Sequence, residues 1–382
     1  MKRIEGENMI ELRGKYNTAK VFTDIIDNST IGQIIALLNQ PFVENSQIRI
    51  MPDCHAGAGC VIGTTLTLDN KVVPYLVGSD IGCGMLVVKL KDKRVNLPEL
   101  DSTIRKYVPS GFNTHDTDKS LRTEIDIKDL RCFGKAKINV AKAYQSIGTL
   151  GGGNHFCELD KDDDGNLYLV VHSGSRNLGR EVCEYYQNIA YKNLRDRGIN
   201  LPFELSYLDG QDFADYIHDM KLVQQFAIDN RAEIVRLILK NSKLKETEQF
   251  ETVHNYIDME NMILRKGAVS AKDGEQFIIP INMRDGALIC IGKGNEDWNC
   301  SAPHGAGRLM SRSEAKGSFT VNEYKKTMKD AGIFTTSVGS STLDECPMAY
   351  KPIETIVDNI QETADIVKII KPIYNYKSGT ED

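Results

Sequence analysis

The amino-acid sequence predicts an α+β fold, and three observations carry that prediction. Short β-rich runs dominate the first third of the 382 residues and recur in the last third. A long helical block lies between them. The elements do not follow the regular strand–helix–strand alternation that builds a parallel sheet with helices on both faces. No internal repeat, low-complexity tract or Pro/Ser-rich linker divides the chain, so one large domain over 1–382 is expected. It should have a β-rich core with a helical excursion over about 178–250.

Taken in order, apolar residues at three- and four-residue spacing predict a helix over 30–39. Runs of β-branched and apolar residues predict strands over 59–68 and 84–90. Helical spacing returns over 136–147. The stretch DKDDDG at 160–165 reads as a turn between strands, the second of which covers 167–172. Two long helical patterns follow at 178–197 and 211–243, then strands at 277–281 and 286–291. The end of the chain reads as a helix at 320–331, a strand at 333–337 and a helix at 353–366.

Composition removes several classes of protein. Hydrophobic residues at 41% and charged residues at 26% exclude disorder, collagen and coiled coil. The longest apolar runs, at 167–171 and 287–291, are far below the roughly 20 residues of a membrane span. The first residues have no apolar signal region, so a cytoplasmic protein without membrane partners is expected. A net charge of −6 gives no general pull toward nucleic acid and argues against a DNA-binding module. Nine cysteines, an odd number without a CxxC pair, read as reduced thiols.

Glycine is concentrated in five short motifs at 57–63, 78–84, 151–153, 174–179 and 305–307. Each holds or adjoins His, Cys, Asp or Arg, which suggests loops converging on one polar site. In GSDIGCG, Asp80 and Cys83 are three residues apart and could face one cation, although a turn aspartate and a core cysteine would look the same. His155 follows a triple glycine, His172 ends a strand before a Ser-Gly-Ser-Arg loop, and His254 sits in TVHNY. Together these five ligand-type residues exceed the four of a structural zinc site and suit two metal ions sharing a ligand. The thiolate leans toward zinc, while carboxylate and imidazoles also suit manganese, iron or cobalt. Arg176 could hold a phosphate. His304, ahead of Gly-Ala-Gly-Arg and an expected helix, reads as a histidine at the lip of an anion-binding loop. It could be ligand, base or nucleophile.

In this order, the blocks resemble the RtcB family of RNA ligases, with the look of a shorter, bacterial-type paralogue. The blocks are MPDCHAGAG at 51–59, GSDIGCGM at 78–85, LGGGNHFCEL at 150–159, VHSGSRNLG at 171–179, HNY at 254–256, HGAGRLMSR at 304–312 and KPIYNYK at 371–377. The resemblance implies two manganese ions, one on Asp80, Cys83 and His155 and one on His172 and His254, with Cys83 bridging. It implies GTP as the activating nucleotide and His304 as the residue that becomes guanylylated. Asn154, His155, Phe156, Cys157 and Glu158 match a GTP-contacting stretch, as do His254, Asn255 and His304 with Gly305, Ala306 and Gly307. Tyr350 and Lys377 align with residues beside the nucleotide, and Asp53 and Arg176 fall in blocks facing the reacting phosphates. The implied reaction joins RNA 3′-phosphate or 2′,3′-cyclic phosphate ends to 5′-hydroxyl ends, in RNA repair or tRNA splicing. RNA contacts that are local and partly metal-mediated agree with the acidic net charge.

One block departs from the family pattern. INMRDGA stands at 281–287, with Asn282 and Ala287 where serines would contact the nucleotide, and with Asp285 as a charge unfavourable to a triphosphate. The departure suggests a paralogue that repairs broken RNA. Two other readings compete: a metal-dependent phosphoesterase that opens cyclic phosphates without ligation, and a non-catalytic RNA-binding or metal-sensing paralogue.

Overall fold

A computed structural model describes residues 2–3, 9–57, 59–116 and 123–379. Ala58 of the first glycine motif and the extreme ends of the expected domain lie outside the described residues. The fold is α+β, as the sequence predicts. Two seven-stranded sheets and a two-stranded ladder form its β-structure among the described residues. The first sheet runs in the order Lys2–Arg3, Ile10–Arg13, Thr18–Val21, Ile48–His55, Ile62–Thr67, Ile263–Lys266, Asn255–Asp258. The second runs Gln276–Asn282, Gly286–Gly292, Ala364–Lys377, Phe156–Lys161, Leu167–Ser173, Gly84–Leu90, Glu246–Val253. Among the described ladders, only Thr18–Val21 against Ile48–His55 is parallel.

Burial on both faces explains why the central strands are apolar runs without alternation. In Gly84–Leu90, Met85 and Val87 join one core cluster while Leu86 and Val88 join another. His254 is the one residue between the strand Glu246–Val253 of the second sheet and Asn255–Asp258 of the first. It therefore sits where the chain crosses from one sheet to the other.

The expected helical excursion is present, but it ends before 250. Its helices are Arg176–Asp196 and Gly210–Ser242, and the chain then becomes the edge strand Glu246–Val253. The long helix is tied into the sheets by polar groups that the sequence did not flag. Arg231, fully buried, donates to the Gly82 and Ser173 carbonyls at 2.8 Å each and pairs with Glu251 at 2.7 Å. Asn230 accepts from the Gly148 and Thr149 amides and donates to the Gly174 carbonyl. Two adjacent residues of one helix thereby brace three of the glycine-rich loops.

The chain end also differs from expectation. The helix stops at Asn359, and Ala364–Lys377 is a fourteen-residue strand in the middle of the second sheet. Helical apolar spacing at Ile353, Ile356, Val357 and Ile360 runs into this segment with no Gly or Pro to mark the stop. The β-branched and aromatic residues beyond it take strand form because one neighbour pairs with 364–370 and another with 371–377. Pro372, which cannot donate to a ladder, sits at a register shift. The segment 333–337 is not a strand: Phe334 makes a single bridge, donating to the Ile373 carbonyl and accepting from the Asn375 amide beside that shift. The helix expected over 136–147 shortens to Val140–Gln145, capped by Asn139.

Arg231→Met should destabilise the fold by roughly 3–5 kcal/mol, nearer the lower figure because Glu251 keeps some solvent. A urea melt with an unchanged midpoint would contradict this role.

Candidate active site

The second sheet delivers its polar residues at one end. Cys83 precedes Gly84–Leu90, His155 precedes Phe156–Lys161, His172 is the penultimate residue of Leu167–Ser173, and His254 follows Glu246–Val253. The register makes them neighbours: Phe156 is opposite His172, which is opposite Met85, and Gly84 is opposite Val253. Asp80 enters on the turn before Cys83. Antiparallel neighbours thus bring residues 174 positions apart in sequence (80 and 254) to one point.

Cys83 Sγ is at the centre. It lies 3.4 Å from His155 Nε2 and 3.4 Å from His172 Nε2. His155 Nε2 is 3.1 Å from Asp80 Oδ2, and His172 Nε2 is 3.1 Å from His254 Nε2. Two triads result, Asp80–Cys83–His155 and Cys83–His172–His254, each with its ligand atoms within 4.8 Å of one another. His172 is oriented from behind, its Nδ1 3.1 Å from the Asn154 carbonyl. That contact turns Nε2 toward the cluster, as ligand histidines require. The Asp80 carboxylate is fixed by the Ser175 amide at 2.9 Å. Asn255 supports the Asp80 turn through its carbonyl at 3.1 Å, so its role here is to brace the cluster. Gly174 is required by close approach: a Cβ there would stand 2.1 Å from Asp80 Oδ1.

The electrostatics suit cations. Burial, then the neighbouring imidazoles, push His172 well below the usual histidine range, and burial followed by His304 does the same for His254. Both rings are therefore neutral and carry lone pairs. Burial alone would raise Asp80, but the hydrogen bond and charge of His155 and the charge of Arg176 hold it below the usual carboxylate range. Burial and Asp80 raise the Cys83 thiol well above its ordinary value. Lone-pair atoms packed at 3.1–3.4 Å are repulsive without a proton or cation between them. One carboxylate, one sulfur and three imidazole nitrogens fit two divalent ions sharing the sulfur. Such ions would supply Lewis-acid neutralisation of phosphate oxygens.

Beside the cluster opens a cavity of about 1230 Å³. His304 lies on its wall, its ring 4.9 Å from that of His254. The fully buried Asp53 holds the histidine loop: its Oδ2 accepts from the His304 and Gly305 amides at 3.1 Å each and lies 2.6 Å from His304 Nδ1. That last contact is bent away from hydrogen-bond geometry, so its strength is electrostatic. Two amides expected to bind an anion are thus already engaged by a carboxylate of the protein itself. The helix after this loop starts only at Arg312, capped by Ser311. Gly307 has φ +75° and lies against the Asp53 backbone, where a Cβ would meet the carbonyl oxygen at 2.3 Å.

The other expected nucleotide contacts divide by strand alternation. Asn154, Phe156 and Glu158 line the cavity, while Cys157 points into the opposite core cluster. Gly305, Ala306, Gly307, Tyr350 and Lys377 line it as well, whereas His155 and His254 belong to the ligand cluster and Asn255 braces it. Asn282 lines the cavity but its amide is committed to its own turn, donating to Asp285 at 2.8 Å and accepting from the Arg284 and Asp285 amides. Asp285 is not a bare charge, because Arg284 pairs with it at 2.7 Å. Ala287 is buried in the sheet. Arg176, left-handed at φ 57°, sends its guanidinium to the Thr149 hydroxyl and the Gly111 carbonyl, on the metal-cluster side.

Sequence reasoning gave no role to His55, which sits in the first block and lines the cavity. Burial drives it down to about 4, so it is neutral at physiological pH. Glu345 was missed too, and no sequence signal marked it. It is buried among Lys377, Tyr350, Arg308 and Arg312. Burial would raise its pKa, but Lys377 and Arg312 bring it down to about 2.

The family model described as "tRNA-splicing ligase RtcB" matches residues 33–131 and 130–378. The chain is 32% identical to the RNA-splicing ligase RtcB of Escherichia coli K12, over 89% of this chain and 92% of that protein. It is 27% identical to the RNA-splicing ligase RtcB2 of another Escherichia coli strain, covering 93% of each. The tRNA-splicing ligase RtcB of Methanococcus maripaludis is 27% identical over 84% of this chain and 85% of its own length.

Two measurements test the site. Metal analysis after dialysis against manganese should find about two ions on the wild-type chain, about one on Asp80→Ala and none on Cys83→Ala; full loading of Cys83→Ala would disprove the shared sulfur. Glu345, its folded pKa depressed to about 2, contributes stability above its unfolded value near 4.5 and loses it as pH falls between the two. The melting-temperature gap between wild type and Glu345→Gln should therefore be widest above pH 5 and shrink toward pH 2. A gap independent of pH would contradict the charge pairing.

Proposed function

The chain belongs to the RtcB family, and from that premise we propose that it is an RNA ligase dependent on GTP and two manganese ions. It joins RNA 3′-phosphate or 2′,3′-cyclic phosphate ends to 5′-hydroxyl ends, with the whole chain acting as one catalytic domain. The observation that carries this reading is the adjacency of His304 to the ligand cluster, with 4.9 Å between its ring and that of His254. A nucleophile for phosphorus and a site for charge neutralisation share one cavity wall.

The negative charge of Asp53, 2.6 Å from His304 Nδ1, favours a proton on that nitrogen, and the lone pair on Nε2 is assigned to the attack. Nε2 bonds to the α-phosphorus of GTP as the bond to pyrophosphate breaks. An oxygen of the RNA 3′-phosphate then attacks the same phosphorus, breaking the bond to nitrogen and leaving the RNA end guanylylated. The 5′-hydroxyl attacks the RNA phosphorus, loses its proton, and releases GMP. Metal ions are assigned to Asp80, Cys83, His155, His172 and His254. Phe156, Glu158, Tyr350 and Lys377 are assigned to the nucleoside, and Asn154 and the part of the histidine loop beyond the engaged Gly305 amide, Ala306 and Gly307, to its phosphates. Arg176 is assigned to the RNA phosphate on the metal-cluster side. The paired Arg284 and Asp285 cancel each other's charge near the cavity, which supports retention of a triphosphate substrate despite the altered 281–287 block.

The test is covalent labelling. Purified protein with manganese and α-labelled GTP should retain label after denaturation, and His304→Ala should retain none. ATP in parallel measures base preference. No label from either nucleotide, with manganese bound, would remove the ligase reading in favour of a metal-dependent phosphoesterase.

A further inference from the structure

The far wall of the cavity is organised around one buried carboxylate. Glu345 ends the short helical turn Ser340–Glu345, and it is 2% exposed. Its Oε2 accepts from the Lys377 ammonium at 2.6 Å and from the Tyr350 hydroxyl at 2.7 Å. Its Oε1 pairs with Arg312 and lies 3.6 Å from Arg308. Among the described residues, the Lys377 ammonium also meets the Asn154 carbonyl, at 3.4 Å, and the face of Phe156, 5.5 Å from its ring centre. Arg308 in turn stacks over the Tyr350 ring at 5.1 Å. One carboxylate thus holds together the turn at 345, the extended chain just after it at 350, the loop at 308–312 and the last strand at 377.

Resting on the nucleotide site proposed above, we infer that Glu345 is the positioning residue that fixes Lys377 and Tyr350 for binding the nucleoside end of GTP. A lysine has a long stem with several rotatable bonds, so an ammonium aimed at a ligand must be held by something else. A buried carboxylate taking one donor from the lysine and one from the phenol holds both with a single group. It also keeps the wall's charge modest: Lys377, Arg308 and Arg312 face Glu345 and Asp344, a surplus of one positive charge. None of its hydrogen-bond partners is His304, Asp53 or a member of the metal cluster. Its effect should therefore fall on nucleotide affinity and leave the attack by His304 unchanged.

The experiment measures guanylylation rate against GTP concentration for wild type, Glu345→Gln and Tyr350→Phe, with thermal melts of each. Glu345→Gln keeps shape and removes the charge. The expected result is a KM for GTP raised about tenfold, as for two side chains no longer held in their binding positions. The rate at saturating GTP and the maximum labelled fraction should match wild type. An unchanged KM overturns the inference, and so does a reduced labelled fraction at unchanged KM, which describes only a less stable protein. If Glu345→Gln shows no folding transition, Tyr350→Phe decides: its KM should rise about threefold, and a wild-type KM overturns the inference. A wild-type protein that takes no label from GTP is a different failure, that of the ligase reading itself.

Discussion

The structure depends on holding five lone-pair-bearing atoms together, all but the partly exposed Asp80 carboxylate out of water. A sulfur, a carboxylate oxygen and three imidazole nitrogens lie at successive separations of 3.1–3.4 Å at the end of the second sheet. Such a set is unfavourable by itself, because burial removes the solvent that would screen it and the atoms offer one another few donors. Its persistence requires the surrounding backbone to be over-determined. Antiparallel register supplies part of this, and Arg231 and Asn230 supply the rest by fastening the loops at 82, 148–149 and 173–174 from one long helix. The helical block in mid-sequence is therefore part of the support for the site.

The cavity beside the cluster follows a second rule, that its charges are already paired within the protein. Asp53 occupies two amides of the histidine loop, Arg284 holds Asp285, and Glu345 gathers Lys377 and two arginines. An ordered wall of this kind lowers the cost of binding, because the side chains that meet a ligand do not have to be immobilised at that moment. The same pairing makes glycine and arginine motifs misleading when read alone. HGAGR looks like an open anion cradle in sequence, yet a carboxylate from residue 53 is bound to the first two of its amides.

Legibility varied with the range of the interactions that decide each element. The strands at 84–90 and 167–172 are evident from apolar runs, and the turn at 160–165 from its acidic and glycine content, although its first two residues end a strand. The strand Ala364–Lys377 was read in part as helix because Ile353 to Ile360 carries helical spacing with no stop signal after it. Only pairing to partners at 287–292 and 156–161 decides that segment. Phe334 shows the reverse case, a β-rich run that makes just one bridge, to Tyr374.

The order of the motif blocks alone was sufficient to assign the family and to single out the five ligand-type residues and His304 as candidates, since each of these is a matter of residue type at a given place in the chain. Alternation along Phe156–Lys161 then separated Phe156 and Glu158 on the cavity from Cys157 in the core, a distinction that residue type does not contain. Asn230, Arg231 and Glu345 had no local signal, because their importance lies in which distant backbone and side-chain atoms reach them. Tertiary structure decided those roles, for the physical reason that a buried polar group is defined by its partners, and partners on other elements of the fold are set by packing.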